Sequence, residues 1–98
     1  MPERGITYVR LAATGLARDG PALLYGFLLT VTAATSGMYL DDDKGANSEH
    51  RFATVYGYTS VTTPYIFPKP VRLGRGLYVT TIGTFAEVTF LLEPLKPE

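Results

Sequence analysis

Glycine and proline, ten and seven of them in 98 positions, break this chain every several residues, and that spacing limits what it can fold into. No stretch between the breaks keeps an apolar spacing of three and four for the length of a stable helix. The best candidate, Ala22 to Ala34 (ALLYGFLLTVTAA), is interrupted by Gly26 and carries the β-branched run Thr30, Val31, Thr32, which favours extended backbone. We read it as a strand.

Alternation then sets the strands. Ile6 to Ala12 places Thr7, Val9 and Leu11 on one face and Tyr8 and Arg10 on the other. Ala22 to Thr32 places Leu23, Tyr25, Phe27, Leu29 and Val31 on one face, with Leu24 and Leu28 opposite. Met38 to Asp41, Arg51 to Tyr58, Thr63 to Phe67, Leu77 to Ile82 and Phe85 to Leu92 follow. In the last, Ala86, Val88, Phe90 and Leu92 point one way while Glu87 and Thr89 point the other, so one face packs and one meets water. Gly83-Thr84 joins the final two strands and predicts a C-terminal hairpin. Turn signals stand at Arg18-Asp19-Gly20-Pro21, Thr35-Ser36-Gly37 and Gly74-Arg75-Gly76. The expected fold is all-β: one domain over residues 1–98, a small antiparallel β-sandwich, jelly-roll-like, with about seven short strands and short extended ends.

Composition narrows the function. Nine basic and nine acidic residues cancel, whereas phosphate contacts give a nucleic-acid binder its basic excess. Neither nucleic acid nor a membrane surface is expected as a partner. The apolar run at Ala22 to Ala34 is too short for a membrane span, which needs about 20 residues. Met1-Pro2-Glu3-Arg4 does not open a signal peptide, so a soluble chain is expected. The absence of cysteine removes disulfides and thiolate chemistry. With His50 as the single histidine, a nucleophile, base and orienting group cannot all be supplied. A non-enzymatic protein with no cofactor and no metal is expected.

The polar clusters agree. Asp41-Asp42-Asp43-Lys44-Gly45-Ala46-Asn47-Ser48-Glu49 offers oxygen ligands, but Gly45 and Ala46 occupy the fifth and sixth positions, where a calcium loop wants a ligand and a glycine. It is read as a solvated loop. His50, beside Glu49, is read as a loop histidine. Gly74-Arg75-Gly76 leads into a strand, not into the helix that a phosphate loop requires, and is read as a turn. The tyrosines leave two readings open. Tyr8, Tyr39 and Tyr78 fall opposite the core positions, as strand propensity or a contact surface would place them. Leu24 and Leu28, on an outward face, call for a covering neighbour. The candidate interface is therefore Leu24, Leu28, Tyr8, Tyr39 and Tyr78.

The order of these segments resembles small β-sandwich structural proteins of tailed-bacteriophage virions. The likeness rests on the aliphatic first strand, on GPALLYGFLLTVTA, on GMYLDDD ending in acidic residues, and on the closing FPKPVRLGRGLYVTTIGTFAEVTFLLEPL. It runs from about Tyr8 to Glu93 and departs in the glycine-interrupted RFATVYGYTSVTT and the long loop before it. The resemblance implies a virion protein on the phage particle surface: a capsid decoration (cement) protein, or a part of a head fibre or tail. It implies partners among virion proteins, the major capsid protein first, and a homo-oligomer, a trimer by preference. The alternative is a ligand-binding module of a fibre or tail that reads a receptor or carbohydrate through exposed aromatics.

Overall fold

The computed structural model describes residues 6–33, 36–57 and 62–95. Among these are eight strands: β1 Thr7–Leu11, β2 Gly15–Asp19, β3 Ala22–Val31, β4 Gly37–Asp41, β5 Arg51–Tyr56, β6 Thr62–Leu73, β7 Gly76–Ile82 and β8 Phe85–Pro94, with one 3-10 turn at Ser48–His50. The expected continuation of β5 to Tyr58, the turn residue Thr35 and the outermost parts of both ends lie outside the described residues.

Two four-stranded antiparallel sheets form, in the orders β1-β8-β3-β6 and β2-β7-β4-β5. The pairing is nested. First strand pairs with last (β1 with β8), second with second-last (β2 with β7), then β3 with β6 and β4 with β5. Two further pairings, β3 with β8 and β4 with β7, knit each sheet together. This is the strand order of a jelly roll, and the sandwich expectation holds.

Two expectations about strands are corrected. The C-terminal hairpin does not exist: β7 and β8 lie in different sheets, and Gly83-Thr84 is a corner between them. Gly83 takes a positive φ of 66°, and the Thr84 amide donates to the Ser36 hydroxyl at 2.8 Å. An eighth strand, β2, was also hidden by Arg18-Asp19, read as turn residues. They end an edge strand, and the turn itself is Gly20-Pro21.

Between the sheets lies a core that, among the described residues, holds thirteen buried apolar side chains. Phe27 anchors it, with ring centroids 5.0 Å from Tyr65, 6.0 Å from Phe67 and 5.8 Å from Phe90. Along β8 the alternation holds, with Val88, Phe90 and Leu92 all buried. Along β3 it does not. Leu24 lies opposite Leu92, but Gly26 lies opposite Leu91, so β3 carries an extra residue against β8. This bulge resets the phase, because pairing fixes which face each residue takes. Ala22 and Leu24 point inward before it, and Phe27, Leu29 and Val31 after it. The expectation for Leu24 is therefore corrected: it belongs to the core and has no exposed surface.

β6 runs to Leu73, well past the expected Phe67. Its prolines are tolerated because β6 is an edge strand bonded only to β3, and residues between Ile66 and Val71 bulge out of register.

Candidate functional site

The outer face of the β1-β8-β3-β6 sheet carries one apolar row from edge to edge. Tyr8 lies opposite Leu91, Leu91 opposite Gly26, and Gly26 opposite Ile66. Tyr8 is 72% exposed and Ile66 63%. Gly26 is required here. A Cβ at this position would collide with the Tyr65 carbonyl oxygen and press on the side chain of Ile66. The next row holds Arg10, Thr89, Leu28 and Pro64, with Leu28 exposed beside the Gly26 gap. Polar pairs frame the band. Arg10 Nε donates to Glu87 at 2.7 Å on one side, and the Tyr25 hydroxyl donates to Glu93 at 2.9 Å on the other. That bond to a carboxylate raises the Tyr25 pKa, since losing the proton would set two negative oxygens together.

Tyr39 and Tyr78 lie on the other sheet, half-buried on its outer face. The Arg51 guanidinium sits 4.0 Å from the Tyr39 ring centroid, in cation–π range. Arg51 also donates from Nε to Asp41 at 2.9 Å, and Asp41, which is fully buried, accepts a second bond from the Asn47 amide at 2.9 Å. Tyr39 thus braces its own sheet through Arg51. Of the five candidate interface residues, the fold brings together Tyr8 and Leu28 only. Tyr39 and Tyr78 face the opposite way, and Leu24 is core.

The acidic segment links β4 to β5, and its aspartates Asp41, Asp42 and Asp43 are turned onto this same chain. Asp42 accepts from the backbone amides of Gly74, Arg75 and Gly76 at 3.2, 2.9 and 3.4 Å. The Gly74-Arg75-Gly76 turn thus does hold an anion with its amides, and the anion is Asp42. Asp43 accepts from His50 Nδ1 at 2.7 Å, from Asn47 Nδ2 at 2.9 Å and from the Lys44 amide at 2.7 Å. These bonds hold its carboxyl at a pKa of about 2, the histidine contributing most. Among the described residues, no group of three histidine, aspartate or glutamate side chains could hold a metal ion. A shallow cleft of about 560 Å³ lies alongside, lined in part by Arg18, Asp19, Lys44 and Arg75. Lys44 pairs with Asp19 at 3.2 Å, and Arg18 donates to the carbonyls of Pro21 and Leu95, each at 3.2 Å.

No family model, no curated protein and no solved structure matches this chain. Its surface must therefore be read from its own geometry. The outward band contains two residues that sequence reasoning did not single out, Leu91 and Ile66. Each follows the strand alternation and is unremarkable alone. They join Tyr8 only through pairings between residues forty or more positions apart in the chain.

Proposed function

We propose that this protein is a non-enzymatic structural component of a bacteriophage virion, a decoration (cement) protein that meets the capsid shell as an oligomer. One observation carries the reading: a jelly-roll sandwich presents an uncharged row, Tyr8, Leu91, Gly26 and Ile66, across the full width of one outer face. A two-layer sandwich normally wets its outer faces, so an apolar band there marks a surface meant for another protein. Jelly rolls serve in viral capsid domains as well as in lectins, and the fold by itself does not choose between them. The order of segments from Tyr8 to Glu93, which resembles phage virion proteins, favours a virion part. In such a role, the inward-turned acidic loop fixes the β4–β5 connection in one shape.

Mass spectrometry of purified particles tests the proposal. The expected result is the chain as an abundant component, released from the shell by Ile66→Asp. A chain abundant in infected cells but missing from particles overturns it.

A further inference from the structure

The sandwich has four sheet edges, and three of them are guarded. A free strand edge offers unpaired amides and carbonyls to any extended chain, and proteins blunt such edges with proline, lysine or a break in register. β6 carries Pro64, Pro68, Lys69 and Pro70 and bulges away from β3. The pairing of β2 breaks between Leu16 and Arg18, and that of β5 breaks where Leu40 gives way to Asp41. β1 has none of these. Its register with β8 runs unbroken from Thr7 to Leu11, without proline or lysine, and its one charge, Arg10, is neutralised by Glu87. Among the described residues nothing pairs with its far side.

We propose that β1 pairs antiparallel with β1 of a second copy, about a two-fold axis at Val9, so that two four-stranded sheets become one of eight strands. A second copy fits because the edge is complementary to itself. In this register Val9 faces its own equivalent, Thr7 faces Leu11 and Tyr8 faces Arg10. The alternation is kept, so Thr7, Val9 and Leu11 of both copies stay on the core side. Val9 and Leu11, only half-buried against the core, gain cover along their open flank. On the outer side each Tyr8 ring meets the other copy's guanidinium, an aromatic–cation pair made twice by symmetry. The two apolar rows then continue into one another across the joint. With equal numbers of acidic and basic residues, no net charge keeps the copies apart. The inference concerns copies of this chain and does not depend on the virion proposal. It also specifies a two-fold contact where the phage resemblance implies a trimer, which needs two different surfaces in contact.

Sedimentation equilibrium tests it on the full chain and on Tyr8→Lys and Tyr8→Glu, with circular dichroism to verify the fold. The wild type should be a dimer. Both variants lose the same ring, and both are made with Glu87→Gln, which frees Arg10 from its partner, so that lysine is repelled by Arg10 of the other copy and glutamate is attracted to it. The lysine variant should therefore dissociate roughly 10-fold more readily than the glutamate variant, and the gap should close at high salt. Because the chain has no cysteine, Val9→Cys gives a clean second measurement. Directly opposed Cα atoms lie about 4.5–5.5 Å apart, within disulfide reach, so this variant should cross-link to a dimer on oxidation, while Leu16→Cys on β2 should not. A wild-type monomer or trimer overturns the pairing. So does a dimer in which the two Tyr8 variants associate alike, or in which Val9→Cys fails to cross-link.

Discussion

Leu24 and Leu28 stand four positions apart in β3 with opposite surroundings, one sealed in the core and the other 37% exposed. Leu24→Ser should cost at least the 2–5 kcal/mol typical of emptying a buried leucine site, since it also buries a hydroxyl, whereas Leu28→Ser should stay within about 1 kcal/mol. Urea denaturation of the two variants side by side checks this. Asp43 makes a second prediction at this scale. Its carboxyl is held at about 2 in the folded protein against an ordinary 3.8, first by the His50 hydrogen bond and then by the Lys44 amide and Asn47. A depressed carboxyl pKa stabilises the folded state above the unfolded value and loses that contribution as pH falls through the folded one. The loop contribution should thus be intact above about pH 5 and gone only by about pH 1, once pH has fallen through the folded value. Asp43→Asn should flatten the acid limb of the stability curve in that window. His50→Ala should move the Asp43 carboxyl resonance in an NMR titration toward the ordinary range.

Individual strands show where alternation carries information and where it fails. β8 was legible because nothing interrupts it. Phe90 is buried and Thr89 is not, so Phe90→Ala should cost about 3–5 kcal/mol and Thr89→Ala much less, read as a difference in melting temperature. β3 was half-legible. Alternation places Phe27, Leu29 and Val31 on the right face, but the bulge before Gly26 reverses Leu23, Leu24 and Tyr25, and a bulge is set by the partner strand and leaves no periodic mark. Gly26→Ala should therefore do more harm than a glycine substitution in a plain strand. We expect a loss above about 1 kcal/mol, with faster amide exchange along β6, because the added methyl group meets backbone and not a movable side chain. β2 and the second half of β6 escaped notice because edge strands bond on one side only. They can admit Arg18 and Asp19, or Pro68 and Pro70, that a central strand would reject. The candidate surface was legible to the same degree. Tyr8 and Leu28 follow from alternation within one strand. Leu91 and Ile66 join them only through cross-strand register, which no local pattern encodes.

In the whole molecule, the order of pairing matters more than any one contact. β8 lies between β1 and β3, and Thr7 is paired with Leu92, so the sheet bearing the apolar band closes only when the two ends of the described chain meet. A chain cut after Thr84 should lose the β-rich circular dichroism spectrum altogether and not merely melt earlier, since β1 would keep no partner in its sheet. Refolding of the full chain, followed by stopped flow, should take milliseconds to seconds, as in other folds dominated by distant pairings. The same geometry governs birth on the ribosome. At about 5–20 residues per second, β1 leaves the exit tunnel several seconds before β8 is made, and through that interval the unguarded edge of β1 and the unfilled slot beside β3 stand open together. A nascent chain is thus most open to pairing with a neighbouring copy just before its last strand emerges. High-level expression should therefore favour aggregates joined through β1 and β3, whereas less frequent initiation, which leaves fewer nascent copies side by side, should favour the soluble fold.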